Sequence, residues 1–515
     1  MKKKILLILL LAAGIFIRPA LAQDNQVLNL TLEDCIAKAL KNNLNVKIEI
    51  MNPELADISL TKAKEIFLPQ FQLNFGSQRQ ENPSYWWIQG AGTNISKMSD
   101  YGLSIVELVP TGGNFSLSLS SYKSDTNQPF QLINPRYGST LRLDFTQPLL
   151  KNFGPTVSRR QILLAENNVE ISDSQLKNTL IDTVYLVQEA YWNLVYAVEN
   201  YNVKQQSLLL GRDLLAKNKK EVEFGKLAPI EILNAEAVVA QREADMIQAE
   251  ALITRTQEML KSLINIAAEG DVRQKKIVPQ DKPDFKEVRI SLEEALKQAM
   301  DRRPDLKVIQ KNIETKQLNL SVARNQMLPA LDLQFSYWSP GISGDRVLYQ
   351  GDNPLSGVIV GTEKGSATGS LRDALKLLYK NWTVGLTLSV PLSSLLTKAD
   401  LAYAQMDLNQ NQVRLQSLEQ QMILEVSDAV RTIETNAKRV NAYGVARELA
   451  EKSLDAEVKK LQVGLSTNYF VLDFQEKLAN ARSAEVKAKI DYILSLARLD
   501  QAMGVSLEKR NIKIK

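Results

Sequence analysis

The sequence predicts an α+β membrane protein that combines strands of a transmembrane β-barrel with very long α-helices. Three observations predict this class: an internal tandem duplication, strand-like segments of alternating polarity, and two helical patterns that each run for about 60 residues. The chain has 515 residues, of which 44% are hydrophobic, so it is long enough for one large unit or several ordinary domains.

The chain contains two copies of one unit. Residues 31–75 align with residues 291–335 without a gap, and 12 of the 45 aligned positions are identical. Gly, Pro and charged residues separate the copies, as is typical of a linker. We therefore divide the chain into a signal peptide at 1–22, a first repeat at 23–268, a linker at 269–289 and a second repeat at 290–515.

The N-terminus has the pattern of a secretory signal peptide. Met1–Lys4 is basic, Ile5–Ile17 is apolar, and small residues precede a cleavage site predicted after Ala22. The formal net charge of +5 falls to +1 without residues 1–22, because these hold four basic residues and no acidic one. We therefore expect an exported protein, and the nearly neutral mature chain gives no reason to expect a nucleic-acid partner.

The composition argues against an enzyme. The chain has no histidine, the commonest general base and metal ligand, and it has one cysteine, Cys35. The acidic pairs Glu33-Asp34 and Glu293-Glu294 follow Thr31 and Ser291, and we interpret them as helix caps rather than as catalytic carboxylates. We expect no catalytic residue, no cofactor and no metal site, and we interpret Cys35 as a small apolar residue of a helix.

Four segments alternate between apolar and polar residues with the period of a strand. They lie at 71–76, 141–146, 331–337 and 382–390. A soluble sandwich could explain this pattern, but polar positions such as Arg142, Asp144 and Asp332 suit the wet interior of an outer-membrane barrel. Aromatic residues near the segment ends suit the girdle of such a barrel: Trp86, Trp87, Tyr101, Tyr137, Trp338 and Trp382.

Four strands are too few to close a barrel, so several protomers must contribute to one. A trimer would supply twelve strands, or eighteen if a further candidate hairpin, Tyr101–Val109 and Phe115–Ser121, joined the wall. We expect four strands per protomer, with this hairpin projecting beyond the barrel or packing beside it.

After each set of strands the pattern becomes helical. Val157 to Leu215 and Lys398 to Leu461 carry apolar residues at steps of three and four, and turns at Gly225 and Gly464 lead into partner helices. A helix of about 55 residues is about 80 Å long. Such long amphipathic hairpins need coiled-coil partners to bury their apolar stripes.

In this order and spacing, the motifs resemble the TolC-like outer-membrane efflux proteins, also called outer membrane factors, over essentially the whole mature chain. The motifs are the doubled helix openings at Thr31 and Ser291, the Leu-Pro pairs at Pro69 and Pro329, the strand exits at Pro148 and Pro391, and the helix turns Gly225–Asn234 and Gly464–Asp473.

The resemblance implies a homotrimer in which a twelve-stranded barrel in outer-membrane lipid continues into a periplasmic barrel of twelve helices. It implies the exit duct of a tripartite efflux or type I secretion system. Substrates would arrive from a periplasmic adaptor, or membrane fusion protein, and an inner-membrane pump of the RND, ABC or MFS type. The main alternative is a periplasmic coiled-coil adaptor or scaffold without a membrane barrel.

The resemblance also implies site residues at the turns after the long helices. Residues in contact with the adaptor would be Gly225, Leu227, Gly464, Leu465, Ser466 and Thr467. Residues that line a closable aperture would be Asp473, Phe470, Glu231 and Asn234. Ser466 stands where the best-known member has an arginine that helps to hold the aperture shut, so the salt-bridge latch of the family is not expected here. The alternative for Asp473 is a solvated acid on a helix face.

Overall fold

The structure, a computed structural model, describes residues 27–86, 92–266 and 275–512. The predicted signal peptide with Ala22, the aromatic residue Trp87 and part of the predicted linker lie outside these residues. The described chain divides into two compact units. The helical unit comprises the residues up to Lys47, Thr179–Arg302 and the residues from Leu424, and the sheet unit comprises Ile48–Asn178 and Arg303–Ile423. Each unit takes segments from both copies of the duplication.

The helices follow the predicted periodicity. In chain order they are α1 (Leu32–Asn42), α2 (Leu44–Glu65), α3 (Pro155–Ser158), α4 (Arg160–Glu223), α5 (Ile230–Leu263), α6 (Leu292–Arg302), α7 (Pro304–Gln326), α8 (Ala367–Leu375), α9 (Leu395–Gln462), α10 (Asn468–Ala502) and α11 (Ser506–Lys509). The two long patterns form α4 and α9, and their partner helices form α5 and α10. The prediction of two long helical hairpins is confirmed. Over the described ranges, no helix has the length and apolarity needed to cross a membrane.

The first predicted helix cap is present. The Thr31 side chain accepts from the Asp34 backbone N–H, and the Asp34 carboxylate accepts from the Thr31 backbone N–H. The bond from the Thr31 hydroxyl lowers the pKa of Asp34. Cys35 follows on the inner face of α1, fully buried, and burial raises the pKa of its thiol to about 12. The interpretations of the acidic pair as a cap and of Cys35 as a packing residue are both confirmed.

Two buried tyrosines tie the described part of the linker to the helical unit. The Tyr191 hydroxyl on α4 donates to the Asp281 carboxylate at 2.6 Å, and the Tyr492 hydroxyl on α10 donates to the Lys286 carbonyl at 2.9 Å. Both rings are at most 1% exposed. One helix of each repeat therefore bonds to the linker through a buried tyrosine hydroxyl. A short parallel pair, β1 (Val27–Leu30) with β6 (Lys276–Pro279), lies in the same unit.

One antiparallel sheet forms the sheet unit. Its strands are β2 (Gln70–Pro83), β3 (Thr93–Leu108), β4 (Asn114–Thr126), β5 (Ile133–Pro148), β7 (Ala330–Tyr349), β8 (Ile359–Glu363) and β9 (Asn381–Ser389). The order is β2-β3-β4-β5-β7, and β7 pairs with β9 along Ala330–Trp338 and with β8 along Arg346–Tyr349. Beyond Trp338, β7 continues to Tyr349, because Ser339–Arg346 keep their pairing with β5 and Arg346–Tyr349 pair with β8.

The expectation for the additional hairpin is wrong. Its two strands are β3 and β4, and they lie inside the sheet between β2 and β5 rather than beyond or beside it. Pairing within the sheet satisfies backbone groups that would otherwise need water or another chain. It also places Ile105 and Leu117 on the face that carries the apolar residues of β2 and β5. In the described part of the chain, six long strands therefore lie side by side in this sheet, in the order β2-β3-β4-β5-β7-β9. Strand β8 pairs only with the far end of β7.

The register confirms the alternation. One apolar row crosses six strands through the pairs Phe71–Ile105, Ile105–Leu117, Leu117–Leu143, Leu143–Tyr337 and Tyr337–Trp382. The next row, on the opposite face, consists of Gln72, Ser104, Ser118, Arg142, Trp338 and Asn381. We call the first surface the apolar face and the second the polar face. The apolar face is most open on the outermost strands, where Phe71 is 62% and Trp382 is 68% exposed, whereas the residues of this row on the strands between them are half-buried.

Candidate functional site

The first tip is the turn between α4 and α5. Gly225 ends α4 with φ +70°, and the Lys226 N–H donates to the Glu221 carbonyl at 2.8 Å, which is a glycine-dependent helix termination. Leu227 is half-buried in the turn and the neighbouring Phe224 is 74% exposed. The predicted helix-ending role of Gly225 is confirmed. The predicted adaptor contact of Gly225 and Leu227 stays a prediction.

The second tip repeats this geometry between α9 and α10. Gly464 has φ +76°, and the Leu465 N–H donates to the Lys460 carbonyl at 2.9 Å. Leu465 is 78% exposed, and Thr467 caps α10 with extended backbone and no side-chain cap bond. Ser466 bonds to the Glu457 carboxylate, and this bond lowers the pKa of Glu457. Within one protomer, Ser466 thus fixes the tip to the last turns of α9.

The aperture candidates lie on the first turns of α5 and α10. Phe470 is 49% exposed and its ring contacts that of Tyr469 with centroids 5.8 Å apart. The Asp473 carboxylate accepts a salt bridge from Lys477 at 2.7 Å and is 37% exposed, so it is a partly neutralised acid on an open helix face. Glu231 is half-buried and Asn234 is exposed. Their placement around a pore depends on the oligomer and stays a prediction.

An apolar cluster below the tips brings the four long helices together. Its buried members are Leu214 of α4, Ala235 of α5, and Val471 and Leu472 of α10, and Leu454, Val458 and Leu461 of α9 pack against them. Val471 and Leu472 separate Phe470 from Asp473 in the chain. Because Val471 and Leu472 face the cluster, Phe470 and Asp473, which are three residues apart, lie together on the opposite face of α10.

The structure adds a residue that sequence reasoning missed. Arg242 of α5 is only 5% exposed, and its guanidinium joins three elements. Nη1 donates to the Ser207 carbonyl of α4 at 2.7 Å and to Gln475 Oε1 at 3.1 Å, and Nη2 donates to the Leu472 carbonyl at 2.9 Å. Burial lowers the pKa of Arg242. Its bonds therefore fix the start of α10, which carries Phe470 and Asp473, against α4 and α5.

A glycine in the middle of α4 leaves room for this arginine. A Cβ on Gly211 would lie 3.0 Å from Arg242 Nη1, which is closer than most real contacts. Glycine is unfavourable inside a helix, and at Gly211 the absent side chain gives the guanidinium room, whereas Gly444 in α9 has no atom within 4 Å of a built Cβ. Gly211 is therefore the sequence feature that points to the packing of Arg242 against α4.

The polar face carries a linked set of side chains at mid-height. The Arg142 Nε donates to Asp144 at 2.8 Å, and the Ser336 hydroxyl donates to Asp144 at 2.6 Å. The Arg142 guanidinium also lies over the Trp338 ring, 5.6 Å from its centroid. The girdle interpretation is wrong for Trp338, because the strand period puts it on the polar face. Tyr101, Tyr137 and Trp382 lie on the apolar face.

Comparisons with known proteins agree with this architecture. The family model described as outer membrane efflux protein matches residues 295–505. The outer membrane protein TolC of Vibrio cholerae is 25% identical over 354 residues, which cover 67% of this chain and 73% of that protein. The TolC of Escherichia coli is 23% identical over 68% of this chain and 67% of that protein.

Solved structures show the same fold. The CmeC outer membrane channel of Campylobacter jejuni has a TM-score of 0.65 at 16% identity, covering 92% of this chain and 85% of that one. The MtrE channel of Neisseria gonorrhoeae in its open state has a TM-score of 0.62 at 18% identity, covering 94% and 91%. The resemblance seen in the sequence is confirmed: residues 295–505 match the outer membrane efflux protein family, and the chain is similar to TolC-like channels, which places it in the outer membrane with its helical part in the periplasm.

Proposed function

We propose that the protein is the exit duct of a tripartite efflux or type I secretion system and conducts substrates passively to the exterior. The observation that carries the proposal is the two-faced sheet, with an apolar row and a polar row that each cross six strands. An apolar outer face meets lipid, and a polar inner face lines a wet lumen. An adaptor or scaffold without a barrel has no use for such a sheet.

The open sheet edges support a homotrimer. In the described chain β2 pairs with β3 and β9 pairs with β7, so β2 and β9 stand at the two ends of the six-strand wall. An open strand edge in lipid is prohibitively costly, because its backbone groups have no water to bond. Three protomers, each joining its β9 to the β2 of a neighbour, would close a barrel of eighteen strands. Barrels of this size leave an aqueous channel.

Cysteine cross-linking in the outer membrane tests the strand order. In a Cys35→Ala background, Leu73→Cys with Leu103→Cys and Leu119→Cys with Leu141→Cys should each form a disulfide within one protomer, because each pair is directly opposed. A twelve-strand wall without the hairpin would instead put β2 beside β5. Efficient linkage of Leu73→Cys to Leu141→Cys, with neither of the other pairs, would reject the eighteen-strand barrel.

The tips support a docking role in that system. At the second tip Val463 and Leu465 are 69% and 78% exposed, and at the first tip Phe224 is 74% exposed, so each tip presents apolar surface on which a partner can pack. We propose that the periplasmic adaptor covers both tips, with Gly225, Leu227 and Gly464–Thr467 in the contact, and that an inner-membrane pump delivers the substrates. Photocross-linkers at Leu465 should capture the adaptor in cells, whereas cross-linkers at the exposed Lys452 of α9 should not.

We further propose that Asp473 and Phe470 of three protomers line the aperture, with Glu231 and Asn234 beside them. Asp473→Asn should lower the cation selectivity of the reconstituted pore, because a ring of three carboxylates attracts cations. Asp455→Asn is the matched control, since Asp455 is an exposed acid of α9 with the same pairing to a lysine four residues on. Equal selectivity of the two variants in single-channel recordings would remove Asp473 from the aperture.

A further inference from the structure

The helix α8 lies on the apolar face of the sheet, beyond the apolar row. Its buried residues Ser370 and Ala374 contact β7 so closely that a Cβ on Gly341 would lie 2.1 Å from the Ser370 carbonyl oxygen. Ser370 also bonds to Ser139 of β5 at 3.0 Å. Since Ser139 is two residues from Leu141, the strand period puts α8 on the face that carries the leucines.

The outward surface of α8 and of the residues after it is both apolar and cationic. Leu375, Leu378 and Tyr379 are 53%, 59% and 55% exposed. Residues 364–380 contain four basic residues and one acidic residue, Asp373. The Asp373 Oδ1 atom lies 3.7 Å from Arg372 Nε. The exposed cations of α8 and the following turn are Arg372, Lys376 and Lys380. A short amphipathic helix of this composition is typical of the interface between lipid headgroups and acyl chains.

The end of α8 keeps apolar side chains at this surface. The Leu378 N–H donates to the Asp373 carbonyl and the Leu377 N–H to the Ala374 carbonyl, with Leu377 at φ +54°. Glycine is the usual residue at this left-handed position, so a leucine here is unfavourable for the backbone. The chain then reaches Trp382, which ends the apolar row on β9. Leu375 at the end of α8 and Leu378 after it are thus close in the chain to the apolar face at Trp382.

A cavity of about 340 Å³ opens beside α8 on the same face. Its lining includes the rings of Tyr101 and Tyr137, the Leu371 side chain, and Ser121 and Ser139. Lys123 stands in the lining too, with Nζ 5.9 Å from the Tyr137 ring centroid. Aromatic and aliphatic walls suit an acyl chain, and the volume falls in the range of about 300–1,000 Å³ that is typical of small-ligand sites.

We propose that α8 and this cavity bind an anionic lipid of the outer leaflet, one molecule per protomer. An acyl chain enters the cavity between α8 and strands β3–β5, and Arg372, Lys376 and Lys380 hold the phosphate headgroup. Charge complementarity selects an anionic lipid, because a zwitterionic headgroup would leave the excess positive charge of residues 364–380 uncompensated. This inference rests on the proposed function, which orients the apolar face toward the membrane.

Native mass spectrometry of the delipidated trimer tests the proposal, with phosphatidylglycerol and phosphatidylcholine as probes. The wild type should bind up to three phosphatidylglycerols, at least tenfold more tightly than phosphatidylcholine. The triple variant R372Q/K376Q/K380Q should lose this preference, and Ser121→Phe, which fills the cavity, should lose binding. The control variant K217Q/K452Q/K459Q removes three exposed charges from the long helices and should bind as the wild type does.

The outcomes separate the two proposals. A triple variant that stays trimeric in the outer membrane and binds phosphatidylglycerol as tightly as the wild type would overturn the lipid site alone. Equal binding of both lipids by the wild type would do the same. A wild type that is recovered outside the outer membrane would instead overturn the proposed function.

Discussion

Leu143→Arg should abolish assembly of the trimer in the outer membrane. Leu143 sits in the middle of the apolar row, between Leu117 and Tyr337, so the charged side chain would point into lipid. An arginine on the lipid face costs up to about 4 kcal/mol, and the cost rises toward the bilayer midplane. The proposed trimer would incur this cost three times, against a stability of about 5–15 kcal/mol for a typical domain. Outer-membrane fractionation followed by gel electrophoresis without heating measures the loss.

Ser104→Arg is the matched control for that substitution. Ser104 lies on the neighbouring polar row, opposite Gln72 and Ser118, where the proposed lumen would keep an arginine hydrated. The variant should reach the outer membrane at nearly the wild-type level. If Ser104→Arg blocks assembly and Leu143→Arg does not, the assignment of the two faces is reversed and the channel proposal fails.

Arg242→Ala should release the start of α10 from α4 and α5. The substitution leaves the buried carbonyls of Ser207 and Leu472 without their donor, and each such group costs about 1–3 kcal/mol. We expect a local destabilisation of about 3–5 kcal/mol, as for other broken buried charge contacts. Amide exchange over residues 470–476 should then quicken by two to three orders of magnitude.

Two further variants make the Arg242 result specific. Arg212→Ala removes an exposed pair with Glu243 and should change exchange little, since surface pairs contribute about 0–1 kcal/mol. Gly211→Ala pushes against Arg242 Nη1 and should produce part of the Arg242→Ala effect without removing the charge. Unchanged exchange at residues 470–476 in Arg242→Ala would show that the apolar cluster alone holds α10.

The sequence predicts the helices better than the sheet. Helical periodicity over α4 and α9, together with the glycine turns at Gly225 and Gly464, is a local signal that no tertiary contact overrides. The hairpin of β3 and β4 has the same alternation as the other strands, with Leu103 and Leu119 in phase with their neighbours. The twelve strands that the resemblance implies leave no place for it in the wall, and strand order depends on pairings that one sequence does not reveal.

In the candidate site, too, local signals predict some residues and tertiary contacts determine the others. The tip glycines and the exposed tip residues follow from local turn chemistry. Arg242 does not, because two of its partners are backbone carbonyls, of Ser207 and Leu472, that are distant in sequence and carry no side-chain signature. The sequence also does not predict the contact of α8 with Gly341 and Ser139, because small residues in a polar stretch indicate a loop as readily as a helix packed on a sheet.

We infer that three copies of this chain close one barrel in the outer membrane. The most direct test is the migration of the native protein from isolated outer membranes on a denaturing gel, before and after heating. We expect a band at three times the 57.7 kDa chain mass, less the signal peptides, and its conversion to the monomer band on boiling. Recovery of the protein as a monomer in the soluble periplasmic fraction would contradict it.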